Sequence, residues 1–235
     1  MAANDPRWLP LESNPESFNR WSASLGLDTE APNGYRFADI WGLDPELLQF
    51  VKQPVKAVLM LFPVTPEYEH MRKQQDEDVA QNGVEGVEDV IYFKQTIANA
   101  CGTFALLHTL ANTDVPLKEG PLTELFSQCH DKTPLERAQL LTTANELERV
   151  HEETAQGGQT AAPALEADTD LHFVTFVEHK GALIELDGRR NSPINHGPIQ
   201  EDLLNDTVKV VKRIMELTQS IQFNLVALSP ATDDE

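Results

Sequence analysis

The stretch from His172 to Gly188 constrains this chain more than any other. HFVTFVEH and ALIELDG, rich in β-branched and aromatic residues, flank Lys180-Gly181 and read as a β-hairpin. A two-residue turn there sets Val174 opposite Asp187 and His172 opposite Arg189. His172 and Asp187 then share one face as diagonal neighbours, about 7 Å apart at Cβ and within reach of an imidazole–carboxylate hydrogen bond. A three-residue turn would flip the parity and part them. Asp187-Gly188 is also ordinary turn chemistry, so a structural role for the acid stands beside the chemical one.

Other segments supply partners for the hairpin. VKAVLMLFPV (Val55 to Val64) reads as a buried strand closed by prolines, and FNLVAL as a last strand. VIYFKQTI (Val90 to Ile97) starts strand-like and leads into NACGTFALLHTLAN, where Phe104, Leu107 and Leu110 form a helical stripe. A short helix is expected over Pro121 to Cys129. Thr133-Pro134-Leu135-Glu136 is a capping box with proline at the first helical position, opening one helix through LERAQLLTTANELERVHEE. Another helix is expected over roughly Gln200 to Gln219. Glu67 to Asp89, polar and punctuated by two glycines, reads as a surface excursion, and Ala155 to Asp170 as an exposed loop. No linker separates two cores. The expected class is α/β (α+β), with helices around a sheet in a single domain spanning 1–235 and a short flexible tail at 230–235.

Charge and cysteine count exclude several function classes. Eighteen Lys plus Arg against 38 Asp plus Glu give a net charge of −20, opposite to a nucleic-acid footprint, so no nucleic-acid partner is expected. A basic partner would be steered toward such a surface. The longest strongly apolar run, Ala57 to Val64, is too short to span a bilayer, and no membrane partner is expected. Nothing near Met1 reads as a secretory signal. The expected address is cytoplasmic, with the nucleus as a second compartment. Two cysteines, Cys101 and Cys129, in no CxxC spacing, exclude a disulfide framework and leave no Cys-rich zinc site.

Cys101 sits where the strand-like run gives way to a helix. A sulfur at a helix N-terminus meets free N–H groups and the positive end of the dipole, which favour the nucleophilic thiolate. Free cysteines are more often buried and inert, so position alone leaves both readings open. His108, seven residues along the same helix, would lie about 10 Å away, too far to share a proton. His130, next to Cys129, points elsewhere on its helix. His172, with Asp187 beside it, is the better base. Gln95, six residues before Cys101, could donate its amide to an oxyanion formed at the sulfur, or could simply be solvated.

KQTIANACGTFALLHTLAN (Lys94 to Asn112) closely resembles the nucleophile segment of the ubiquitin carboxyl-terminal hydrolases. DLHFVTFVEHKGALIELDGRR followed by SPINHG is similar to that family's His and Asp segment. RWLPLESNPESFNR resembles its N-terminus, FADIWGLDPELL another characteristic stretch, and HEETAQGGQTAAP its active-site crossover loop, here placed at about 155–170. The likeness runs in collinear order from about Arg7 to Ser229. It is greatest to the short isozyme type that acts on ubiquitin and on the related modifier of the neddylation pathway. Asp28 to Tyr35 is a few residues longer than that pattern and Asn112 to Gly120 a little shorter.

The resemblance implies a papain-like cysteine protease fold, with a central antiparallel sheet between helical layers and a knotted backbone. It implies Cys101 as nucleophile, His172 as base, Asp187 as orienter and Gln95 in the oxyanion hole, with no metal and no cofactor. The implied partner is ubiquitin, and by extension the neddylation modifier. Substrate contacts implied are Asp39 for the basic ubiquitin tail, Pro10, Leu11, Glu12, Ser13, Asn14 and Pro15, then Gln156, Gly157 and Gly158. Ser220, Ile221, Gln222, Phe223, Asn224 and Leu225 match a further contact region. Asn99 and Leu171 either shape the tail channel or simply pack. The rival readings are a protease dedicated to the neddylation modifier and a catalytically silent ubiquitin-binding module.

Overall fold

Alternating burial along the apolar runs builds one sheet. A computed structural model describes residues 6–30, 32–159 and 169–232. Its strands are β1 (Tyr35–Asp39), β2 (Ala57–Pro63), β3 (Leu171–His179), β4 (Ala182–Leu186), β5 (Ile194–Pro198) and β6 (Asn224–Pro230). They pair antiparallel in the order β1-β6-β2-β3-β4-β5. The hairpin holds the expected register: Thr175 faces Leu186 and His179 faces Ala182. Lys180 (φ 51°) and Gly181 (φ 79°) form the turn, both at the positive φ that a two-residue hairpin turn of this hand requires.

The two faces of the sheet feed two cores. Ala57, Leu59, Phe173 and Val177 point to one side, Val58, Met60, Phe62, Val174 and Phe176 to the other. The first side is covered by α1 (Pro15–Leu25), α4 (Cys101–Ala111), α5 (Pro121–Ser127), α6 (Pro134–Leu141) and α7 (Asn145–Gln156). The second is covered by α8 (Leu203–Thr218), with Tyr68 of α3 (Pro66–Asn82) and Leu48 of α2 (Pro45–Leu48). The sheet therefore lies between helical layers. Thr175 of β3 donates its hydroxyl to the Ala105 carbonyl at 2.9 Å and ties α4 to the sheet.

Three expectations are corrected. Glu67 to Asp89 is not a mere excursion, because Pro66 to Asn82 is a helix, N-capped by the Thr65 hydroxyl and closed at Gly83. Only Tyr68 of its residues is buried, so it has no apolar stripe to read; ion pairs hold it instead, Arg72 with Glu69 at 2.9 Å and with Asp76 at 2.7 Å. VIYFKQTI joins no ladder. Its N–H groups go to scattered acceptors: Ile91 to Asn112 Oδ1 at 2.8 Å, Phe93 to His108 Nε2 at 3.0 Å, Gln95 to the Gly188 carbonyl at 2.8 Å. The helix expected after Thr133 is two, α6 and α7. At the break, Thr142 and Thr143 turn their hydroxyls back onto the carbonyls of Gln139 and Leu140, competing with the helical pattern.

The capping box at Thr133 and Glu136 is present. The final strand runs past FNLVAL to Pro230, and the Ala231 N–H bonds the Gly34 carbonyl at 2.9 Å. Residues 155 and 156 of the expected crossover loop belong to α7, and residues 160–168 lie outside the described residues.

Candidate active site

Cys101 is the first residue of α4, preceded by Ala100, which offers no side-chain cap, and by Asn99 in the left-handed region (φ 62°). The first-turn N–H groups are thus left to the sulfur or to whatever lies before it. The helix is buried along almost its whole length, which fixes the thiol in place. A Cβ on Gly102 would meet Leu11 Cβ at 3.0 Å, so the absent side chain lets the N-terminal segment lie against the first turn.

His172 is the second residue of β3 and Asp187 the first beyond β4, on the same face as the register requires. His172 Nε2 donates to Asp187 Oδ1 at 2.6 Å, and the Arg189 N–H donates to the same oxygen at 2.8 Å. Both side chains are buried. Burial alone would push the imidazole toward neutrality, but the Asp187 carboxylate and the Cys101 sulfur hold its proton on and raise its pKa to about 9. Burial likewise opposes the Asp187 charge, and His172, the Arg189 N–H and Arg190 outweigh it, keeping the acid ionised well below the usual carboxylate range. For Cys101, burial raises the thiol, while His172 and the N–H groups of Phe173 and Gly102 bring it below its ordinary value. With Nε2 committed to Asp187, Nδ1 is the nitrogen left for the sulfur. The arrangement favours a thiolate beside an imidazolium, held by a carboxylate.

Gln95 lies in the segment leading to Cys101. Its side-chain amide donates to the Ile97 carbonyl at 3.1 Å, and its Oε1 is buried with no hydrogen-bond partner among the described residues. Tyr92, which the sequence reading passed over, brings its hydroxyl to the carbonyls of both Asp187 and Arg190. Cys129 is buried apart from all this. Its thiol donates to the Leu125 carbonyl at 3.3 Å, and burial pushes its pKa up to about 11.

Cys101 opens onto a cleft of about 1020 Å³. Pro10, Leu11, Glu12 and Ser13 form one wall, Gln222, Phe223 and Asn224 another, with Leu171 and Gly158 also at its border. The sequence reading missed the share of Leu61, Pro63 to Pro66, Thr169, Asp170 and Phe173. The Gln159 N–H donates to Glu12 at 2.7 Å across the mouth. Other candidates lie off the cleft. Asn14 caps α1, accepting from the Glu16 N–H at 2.9 Å, and Gln156 and Gly157 close α7. Ser220 accepts from the Gln222 N–H, Ile221 is fully in solvent at 89% exposed, and Leu225 is packed in the core under α8. Pro15 and Asp39 border a separate cavity of about 610 Å³ with Trp41 and Phe50. Asn224 bridges the two spaces, with Nδ2 3.5 Å from Asp39 Oδ1 and its carbonyl oxygen accepting from Ser13 Oγ at 2.5 Å.

Comparison with known proteins follows the same chemistry. Residues 8–216 match the family described as ubiquitin carboxyl-terminal hydrolase, family 1. The chain is 40% identical to ubiquitin carboxyl-terminal hydrolase 3 of Arabidopsis thaliana over 98% of this chain and 97% of that one. It is 37% identical to ubiquitin carboxyl-terminal hydrolase isozyme L1 of Rattus norvegicus, over 94% of this chain and 98% of the relative. The catalytic domain of Trichinella spiralis UCH37, solved bound to ubiquitin vinyl methyl ester, shares the papain-like fold with a TM-score of 0.74 at 24% identity, covering 96% of each chain.

Proposed function

The chain belongs to the ubiquitin carboxyl-terminal hydrolases, family 1, and from that membership we propose that it cleaves small adducts from the C-terminal glycine of ubiquitin through Cys101, His172, Asp187 and Gln95. It is a cysteine-type deubiquitinase. The observation that carries the residue assignment is the 2.6 Å bond between His172 and Asp187 beside a lowered thiol at the start of α4, at the edge of an open cleft.

The Cys101 thiolate attacks the glycine carbonyl carbon, and the carbonyl electrons move to oxygen. One amide N–H of Gln95 is spent on Ile97; the other, with the Cys101 N–H, steadies the oxyanion. The C–N, C–O or C–S bond to the leaving group then breaks as His172 Nδ1 gives that group its proton. The neutral imidazole next takes one proton from water, which attacks the thioester; the thiolate leaves, and the freed ubiquitin carboxyl group gives its proton to solvent. Asp187 stays ionised throughout and keeps the ring oriented.

Esters, thioesters, amides and short peptide extensions fit this scheme. The strongly acidic chain also suits a basic tail, and the proposal extends to the neddylation modifier, whose C-terminal glycine presents the same carbonyl. The cytoplasmic and nuclear location expected from the sequence is part of the same proposal, and cell fractionation tests it. The chemistry is tested by reacting purified protein with ubiquitin, and separately with the neddylation modifier, carrying an electrophilic C-terminus. A covalent adduct mapped to Cys101 is expected with both. An adduct at Cys129, or none with ubiquitin, overturns the residue assignment; none with the modifier confines the activity to ubiquitin.

A further inference from the structure

Behind Asp187, away from His172, two buried polar atoms lack a hydrogen-bond partner among the described residues, Asp187 Oδ2 and Arg190 Nε, and the Tyr68 hydroxyl stands beside the Arg190 guanidinium. A buried polar group left unpaired is costly, so their convergence calls for a reason. Arg190 is only 1% exposed. Its Nε lies 3.6 Å from Glu185 Oε1 and 3.9 Å from Asp187 Oδ2. Glu185 and Asp187 are two residues apart on one face, both buried, and each opposes the charge of the other. Two neighbouring buried carboxylates repel each other, and a cation between them offsets that repulsion. Arg190 occupies that place. Its other nitrogens are anchored on α3, Nη1 on Asp76 Oδ1 at 2.8 Å and Nη2 on Gln75 Oε1 at 2.8 Å.

We propose that Arg190 is a positioning residue for the reaction: clamped by Gln75 and Asp76 of α3, it holds a positive charge between Glu185 and Asp187, offsets their repulsion, and so limits how tightly the Asp187 carboxylate binds the working proton of His172. The proposal rests on the assignment of His172 as the acid–base group. It also gives α3 a task that its exposed, polar surface does not reveal. The helix aims a guanidinium at the back of the acid, and Arg189, paired with Glu69 at 2.7 Å, fastens the same loop.

Other titratable or charged groups face Asp187 and stay in place in the test below. Cys101 and His172 lie on the reactive side. Tyr68, Arg72 and Asp76 come from α3, while Tyr92, Lys94 and His108 come from the segment before α4 and from α4 itself. From β5, His196 bonds Glu185 Oε2 at 2.8 Å and takes up part of that acid's charge. None of these stands between the two carboxylates as Arg190 does.

The experiment titrates His172 directly, by NMR of protein carrying ring-labelled histidine, with the signal assigned from a His172→Gln variant, and alongside it measures kcat and KM against pH. In Arg190→Gln the loss of that positive charge should raise the His172 titration and the alkaline limb of kcat by about one unit. The more tightly held proton should leave the plateau kcat up to about tenfold lower, with KM little changed. Arg190→Lys, which keeps the charge, should stay nearer the wild type. Gln75→Ala removes one anchor without altering any charge and should shift both readouts the same way by less. If Arg190→Gln folds and its His172 titration coincides with wild type or falls below it, the proposal is overturned. If that variant does not fold, Gln75→Ala decides on the same criterion. The NMR arm needs no substrate, so failure of this inference and failure of the hydrolase reading give different results.

Discussion

Gly188 and Gln95 are locked together: the Gln95 N–H bonds the Gly188 carbonyl at 2.8 Å, and a Cβ on Gly188 would stand 2.9 Å from Gln95 Cβ. The glycine after Asp187 is therefore there for close approach. It brings the Asp187 loop against the segment that carries Gln95, so two halves of the proposed site are set by one contact. Gly188→Ala should displace Gln95 and lower kcat by roughly ten- to a hundredfold, less than or equal to the loss of the donor itself, with KM nearly unchanged. Steady-state kinetics on a ubiquitin C-terminal amide would show it, and an unchanged kcat would mean that Gln95 takes no part.

The two thiols should behave as opposites. Cys101→Ala is expected to abolish hydrolysis while ubiquitin binding survives. Cys129→Ala should leave turnover within about twofold, because that thiol is pushed up to about 11 and bonded to a carbonyl. Iodoacetamide at pH 7 should label Cys101 first. Preferential labelling of Cys129 would reverse the assignment.

The thiolate–imidazolium pair predicts a bell-shaped pH profile. The acidic limb reports Cys101, lowered from its ordinary value, and the alkaline limb reports loss of the His172 proton near pH 9. Asp187 is the main group holding that proton against burial, so Asp187→Asn should move the alkaline limb down toward the ordinary histidine range. Its kcat should also drop, though less than in His172→Ala. An alkaline limb that stays near pH 9 in Asp187→Asn would contradict the geometry.

Acid stability should be set in part by two histidines outside the site. His108 accepts from the Phe93 N–H at 3.0 Å, and His151 accepts from the Thr103 hydroxyl at 2.7 Å while donating to the Leu9 carbonyl at 2.9 Å. Both are fully buried, and burial lowers each pKa to about 4. The folded state keeps them neutral where the unfolded chain takes up protons. Their contribution is whole above about pH 6.5 and shrinks as the pH falls toward 4, by up to roughly 3 kcal/mol each. Denaturation curves across that window should show the loss. His108→Gln and His151→Gln should be less stable at pH 7 but show shallower pH slopes, and slopes equal to wild type would remove these residues from the account.

The recognition surface gives a weaker but distinct signature. Association with ubiquitin should slow as salt rises, since the chain carries a net charge of −20. Asp39→Arg should reduce affinity while leaving the melting temperature almost unchanged, because the residue lies at the end of β1 beside an open cavity. Stopped-flow rates that do not vary with salt would argue against steering.

Local chemistry along the chain was enough to determine the hairpin, the buried strand at β2, the capping box of α6 and the helix that begins at Cys101. Each is written in residues close together: a two-residue turn, a run of apolar side chains, a threonine three positions before a glutamate. Parity across the Lys180-Gly181 turn even placed His172 beside Asp187. What only the tertiary structure decided are the contacts between segments far apart in sequence. The α3 helix has no apolar stripe because arginines from the 187–190 loop bind its polar face, and those arginines lie more than a hundred residues away. VIYFKQTI looks like a strand, yet its N–H groups meet Asn112, His108, Pro134 and Gly188 rather than a neighbouring ladder. Periodicity reports which face of a segment is buried. It carries no information about which distant donor or acceptor will satisfy each buried polar group, and that choice sets the charge on the His172–Asp187 pair.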